Sequence, residues 1–196
     1  STATEPEDMR AVLSKCRDRG IFVMIDETYA EFAPEDMSIS STGLLNAFKN
    51  FVILRGISKF FAAPGLRLGY AMTGNQELLA AVRERQNPWT LNSLADAAGK
   101  LMFTDTDYIE KTRHLIASER ERVYRELLTW EHVKVYRPYA NFILVRIRKE
   151  GVTSYDVFVH AIQRGLMLRD CASFPGLEDE TFFRFCFMMP EKNTEL

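Results

Sequence analysis

Cysteine is scarce in this sequence. There are three in 196 residues, Cys16, Cys171 and Cys186, odd in number and with no C-x-x-C pair. That points away from a zinc site or a disulfide framework, and a reducing, cytosolic compartment is the simplest reading. Histidine is as sparse and as scattered: His114, His132 and His160, the first in a charged helical stretch where a solvated side chain is expected. No apolar run approaches the roughly 20 residues that span a bilayer, and Ser1 to Arg10 lacks a basic-then-apolar leader pattern. A net charge of −2 offers no basic excess for nucleic acid or an anionic membrane, so neither is expected as a partner. Internal repeats and low-complexity tracts are missing as well. What remains is 46% hydrophobic and 27% charged, an ordinary folded composition with enough residues for one good core or two modest ones.

The order of elements is more telling. Thr4 and Glu7 have capping-box spacing ahead of a helix, with Pro6 in its first turn. Met9, Val12, Leu13 and Cys16 supply its apolar stripe, and Gly20 supplies the stop. Ile21 to Ile25 reads as a strand covered on both faces and ends in Asp26, Glu27 and Tyr29. Phe51 to Leu54 repeats the pattern and ends in Ser58 and Lys59; Leu68 to Met72 is a third strand. Helices follow from Asn75 to a break at Asn87-Pro88, over Ser93 to Phe103, and from Asp105 to Trp130, the last with Glu and Arg alternating on its exposed side. Strands over Val133 to Tyr136, Phe142 to Ile147 and Phe182 to Phe187, with a helix near Tyr155 to Arg164, close the chain. The reading is α/β: residues 1–104 form part of a large domain with a mixed, mostly parallel sheet. A long connecting helix spans 105–130, and a smaller α+β unit spans 131–196.

Ligands of open α/β sheets bind beyond the carboxyl ends of the strands, which is where Asp26, Tyr29, Ser58 and Lys59 fall. Lys59, flanked by Phe60 and Phe61 and followed by Pro64-Gly65, is expected to be partly buried, which would favour a neutral, nucleophilic amine. Ser58 and Arg67 offer the hydroxyl and the cation that a phosphate needs. Each residue alone has a structural reading: a surface lysine, a turn aspartate, an ion-paired arginine. Their joint order favours a site.

That order, Asp26-Glu27-Thr28-Tyr29 and then Ser58-Lys59 through Pro64-Gly65-Leu66-Arg67-Leu68-Gly69, resembles the fold type I pyridoxal-phosphate enzymes of the class I/II aminotransferase group. The resemblance implies pyridoxal 5'-phosphate as cofactor. Asp26 would meet its pyridine nitrogen and Tyr29 its ring hydroxyl, Ser58 and Arg67 would hold its phosphate, and Lys59 would be the Schiff-base lysine. Arg184, in Phe182-Phe183-Arg184-Phe185, matches the arginine that grips the substrate carboxylate, since a cation in so apolar a strand needs an anion.

Leu168-Arg169-Asp170-Cys171-Ala172-Ser173-Phe174-Pro175-Gly176-Leu177 and Pro88-Trp89-Thr90-Leu91-Asn92 are similar to segments of L-threonine-O-3-phosphate decarboxylases of cobalamin biosynthesis. Histidinol-phosphate aminotransferases are the alternative, and an aminotransferase-like sensor domain of a transcription regulator is a third. Arg169 is the candidate for a substrate phosphate, with a surface salt bridge as the competing reading; Phe174, Pro175 and Gly176 are read as shaping a loop. The family's glycine-rich turn and N-P-x-x-P-T-G stretch have no counterpart here. The chain is therefore expected to be a piece of a longer cytoplasmic homodimeric enzyme, inactive alone.

Overall fold

Pro6 sets the start of helix α1 (Pro6–Arg17) in the computed structural model, which describes residues 3–34, 37, 39–187 and 189–195. Ser1, Thr2 and Leu196, the ends of the expected domains, lie outside the described residues. Proline costs no helical hydrogen bond in a first turn, and it keeps Glu5 extended at φ −67° and ψ 149°. Glu5 is thus the N-cap and makes no side-chain cap bond; the capping box expected between Thr4 and Glu7 is not the one used. Leu13 is fully buried. The chain leaves α1 through Gly20 at φ +66°, with the Gly20 and Ile21 amides donating to the Arg17 and Cys16 carbonyls.

The chain divides into two compact units, Ala3–Glu110 and the residues from Lys111 onward. In the first, β1 (Val23–Asp26) pairs in parallel with β2 (Phe51–Gly56), and β2 pairs antiparallel with β3 (Gly69–Met72). The sheet is mixed, and the α/β layering expected from the sequence is present. Its core gathers Leu13, Leu44, Phe48, Phe51 and Ile53, with Val23 and Ile25 packed against them. β1 departs from the expected double cover: Met24 is 69% exposed, and Ile21 and Phe22 are half exposed. Alternation is the reason, since Val23 and Ile25 turn toward α1 and the core while Met24 turns away. Two further helices, α2 (Gln76–Arg85) and α3 (Ser93–Met102), are capped by Asn75 and Asn92, which accept from the Leu78 and Ala95 amides at 2.9 Å. Each cap also donates its amide to the preceding structure, Asn75 to the Lys49 carbonyl and Asn92 to the Leu66 carbonyl.

The second unit is built on an antiparallel sheet of β4 (Val133–Val135), β5 (Phe142–Ile147), β6 (Arg169–Asp170) and β7 (Phe182–Cys186), in the order β4-β5-β7-β6. β6 is too short to be legible as a run. Helix α4 (Thr106–Leu128) begins in the first unit and continues into this one. α5 (Ser154–Ile162) starts with a true capping box, Thr153 with Asp156, and a short α6 (Pro190–Glu195) ends the described chain. Register splits the sheet into two faces. Ile143, Val145, Phe183 and Phe185 share one, with Asp170 at its β6 edge; Phe142, Leu144, Phe182, Arg169 and Arg184 share the other.

Glu119 and Arg120, expected on the solvent side of α4, are 4% and 7% exposed. Arg120 donates to the Tyr139 carbonyl at 3.4 Å. Glu119 accepts a two-pronged bond from Arg122 at 3.0 and 2.7 Å and the Asn193 amide at 2.7 Å, which ties α6 to α4. The Arg122 hydrogen bonds outweigh burial and, with the Asn193 bond, hold the Glu119 carboxyl below its ordinary value near 4.5.

Two substitutions probe this packing. A group more acidic folded than unfolded contributes stability that is complete above its ordinary value and is lost as pH falls through the folded one. Urea unfolding across about pH 5 to 3 should show a shallower acid loss in Glu119→Gln than in the parent. In the first unit a methyl at Gly74 would collide with the Leu45 carbonyl oxygen, which is backbone and cannot swing aside. Gly74→Ala should lower stability by about 2–3 kcal/mol, read from thermal or chemical denaturation.

Candidate functional site

The parallel pairing of β1 and β2 sets Asp26 opposite Leu54 and brings the carboxyl ends of both strands to one edge. Asp26 closes β1; its Oδ1 accepts from the Thr28 amide at 2.9 Å and from the Thr28 hydroxyl, an Asx turn. Its Oδ2 has no hydrogen-bond partner among the described residues and the side chain is exposed. Tyr29 follows, at the entry of a 3-10 turn over Ala30–Phe32. Ser58 and Lys59 lie in the turn after β2. The structure brings two predicted residues together there: Lys59 Nζ stands 5.9 Å from the centre of the Tyr29 ring.

Lys59 itself is exposed, not buried as its aromatic neighbours suggested. Phe60 takes the inward place in the turn, 2% exposed and packed on Phe32, Phe61 and Tyr108, which leaves Lys59 on the outer side. Tyr108 locks this arrangement by donating its hydroxyl to the Phe60 carbonyl at 3.0 Å. Arg67 is also exposed, at φ +55°, with Nη1 donating to the Pro64 carbonyl at 3.1 Å. No hydrogen bond joins it to Ser58, and no carboxylate pairs with it or with Lys59, among the described residues. Ala62, at φ +50°, is a second non-glycine residue in the left-handed region within the same loop between β2 and β3.

The sequence reading missed what fixes this edge. Glu27, one residue past Asp26, is 6% exposed and accepts Arg55 Nη2 and Nε at 2.8 and 3.1 Å, the Ser40 hydroxyl at 2.9 Å and the Ser41 amide at 2.6 Å. Arg55 also reaches Glu31 at 2.8 Å and lies opposite Tyr70 on β3. Burial by itself would lower the Arg55 guanidinium, but hydrogen bonds to Glu27 and Tyr70 and the charges of Glu27 and Glu31 hold it above its ordinary value. A signal for the pair did exist: if Asp26 pairs with Leu54, then Glu27 and Arg55 occupy the next rung with opposite charge.

In the second unit Arg169 and Arg184 are cross-strand partners on one face. Neither has a carboxylate partner among the described residues, so the competing surface salt bridge for Arg169 is not formed. Arg169 donates weakly to the Ser173 hydroxyl at 3.3 Å. Arg184 Nε is buried with no hydrogen-bond partner, and its guanidinium sits 4.7 Å from the Phe142 ring. Asp170 and Cys171 are committed to the fold. Asp170 accepts from Ser154 and the Ala172 amide, and Cys171 is 1% exposed. Burial pushes the Cys171 thiol up, while the Arg184 and Arg169 charges pull it back and Asp170 adds to the rise. Among the described residues no cluster of three or more His, Cys, Asp or Glu could hold a metal, and no helix is long and apolar enough to cross a membrane.

An amine thus stands beside a phenol at the carboxyl ends of parallel strands, with an aspartate closing the neighbouring strand. The profile of the family described as aminotransferase class I and II matches residues 1–196, and the chain belongs to that family, whose cofactor is pyridoxal phosphate. Threonine-phosphate decarboxylase of Salmonella typhimurium is 30% identical over 191 residues, covering 96% of this chain and 50% of that protein. Histidinol-phosphate aminotransferase of Methanothermobacter thermautotrophicus is 33% identical over 175 residues, covering 89% and 45%. The crystal structure of the histidinol-phosphate aminotransferase from Clostridium acetobutylicum matches with a TM-score of 0.87 at 33% identity, over 96% of this chain and 56% of that one. The chain spans about half the length of the curated relatives it matches.

Removing Glu27 leaves the half-buried Arg55 with only Glu31 for its charge. Glu27→Ala should cost about 3 kcal/mol, against about 1 kcal/mol or less for Glu31→Ala, whose side chain is 32% exposed. Equal losses in urea unfolding would contradict the ranking.

Proposed function

We propose that this chain is the lysine-bearing and C-terminal portion of a pyridoxal-phosphate enzyme that acts on a phosphorylated amino substrate, with decarboxylation of L-threonine O-3-phosphate as its reaction. The approach of Lys59 to Tyr29 at the strand ends carries the reading. The donor set there suits the cofactor: the open Oδ2 of Asp26 for the proton of a pyridine nitrogen, the Tyr29 phenol for a ring oxygen, Ser58 and Arg67 for a phosphate, and an accessible Lys59 amine as the point of attachment. Exposure of Lys59 and Arg67 agrees with this, because neither is consumed by an internal ion pair. Pyridoxal phosphate, when bound, supplies an electron sink for the bond broken at the substrate α-carbon.

The chain's own residues divide the remaining work. Arg184, with its buried unpartnered Nε, is assigned the substrate carboxylate, and Arg169, across the strand from it, the substrate phosphate. Of the Arg169-Asp170-Cys171 segment that resembles the decarboxylases, Asp170 and Cys171 are held by the fold, so Arg169 is the member left to meet a ligand. Histidinol-phosphate transamination is the second reading, supported by the 33% identities in both comparisons. There Lys59 Nζ would also carry a proton to and from the substrate.

The intact protein, incubated with each substrate, separates the two. Carbon dioxide release from L-threonine O-3-phosphate without amino transfer is expected; glutamate formation from histidinol phosphate and 2-oxoglutarate would favour the second reading. Lys59→Ala should abolish borohydride-fixed cofactor and cut turnover by about 10³-fold or more. Fixation that persists in Lys59→Ala would sink both.

A further inference from the structure

Phe174 sits in the loop between β6 and β7, half-buried, and does something that loop-shaping alone does not require. The Arg169 guanidinium lies 5.3 Å from the centre of its ring and the Arg184 guanidinium 6.0 Å from the same centre. Like charges placed directly across a strand pair repel, and here no carboxylate among the described residues relieves them. The negative face of an aromatic ring does so without neutralising either cation or occupying its hydrogen-bond donors. The backbone that carries the ring is tied down as well. The Phe174 amide donates to the Cys171 carbonyl at 2.9 Å and the Leu177 amide to the Phe174 carbonyl at 3.0 Å, two consecutive turns. Cys171 is in turn bonded to β7 through the Phe182 carbonyl.

We propose that Phe174 is a positioning residue, the shared aromatic support that keeps Arg169 and Arg184 together for an anionic ligand, with their donors free to bind it. This rests on the reading of the two arginines as the substrate's anion site. A residue acting through the arginines must be energetically coupled to them, whereas a loop residue that merely stabilises the fold need not be.

The test uses the intact holoenzyme, its cofactor site filled, titrated calorimetrically with inorganic phosphate. Phe174→Leu should weaken phosphate binding about tenfold, and Phe174→Tyr, which keeps a ring, should bind within about threefold of the parent. In the Arg169→Lys background, Phe174→Leu should add little further loss. Should Phe174→Leu fail to fold, Phe174→Met carries the same expectation. Unchanged affinity in a folded Leu or Met variant, strictly additive losses, or no saturable phosphate binding by the parent would overturn the proposal. Because the readout is phosphate affinity, an enzyme that turns over neither substrate would remove the proposed reactions while the titration still decided the role of Phe174.

Discussion

The Glu27–Arg55 pair is the constraint on which the strand ends of the first unit depend. It stands one rung beyond Asp26 and Leu54, so it clamps the last residues of β1 onto β2 where both strands give way to turns. A buried ion pair is poor evidence of stability, because desolvation offsets much of the Coulomb attraction. Its value is in register and direction. Glu27 also takes the Ser40 hydroxyl and the Ser41 amide, so one carboxylate gathers three segments that the sequence separates. With Glu27 pinned inward, strand alternation sends Asp26 the other way, and the following turn carries Tyr29 to Lys59.

The second unit relies on a different device, the division of one sheet into two unlike faces. β5 and β7 place Ile143, Val145, Phe183 and Phe185 on the apolar side; burial of those four side chains is the large favourable term. The opposite side can then carry Arg169 and Arg184 without disturbing the core. Aromatic rings at Phe142 and Phe174 support them there in place of carboxylates. A carboxylate would neutralise the arginines more strongly, but it would occupy the donors that an incoming anion needs.

Periodicity and turn residues made most elements legible, and β5 falls on the residues expected of it, Phe142 to Ile147. The expectations that failed share a cause: each depended on which neighbour a side chain meets in three dimensions. Glu119 looks like a solvated helix residue until Asn193, distant in sequence, supplies its third bond. Lys59 looked buried because Phe60 and Phe61 flank it, yet a turn residue and its neighbour can face opposite ways, and only one of them is inside. Thr4 and Glu7 matched a cap in spacing, but Pro6 already fixed where the helix begins. The candidate site was read from an ordered set of residue types, so its members were visible while the supporting roles of Glu27, Arg55 and Phe174 were not. Supports are chosen by geometry, and a single sequence records that only indirectly.

Local backbone strain gives the loop from Ile57 to Arg67 its character. Ala62 and Arg67 both adopt left-handed conformations, at about 1 kcal/mol each for a residue with a Cβ. Burying the Phe60 ring stabilises by about 2–3 kcal/mol, enough to offset both. The Tyr108 hydroxyl then holds the Phe60 carbonyl so that the loop cannot relax around its anchor. One inward aromatic therefore supports an irregular path that carries a lysine, at one end, and an arginine, at the other, out to where a ligand can reach them. Exposure of Lys59 is a consequence of that construction: Phe60, which secures the turn, and Lys59 are adjacent and cannot both face in.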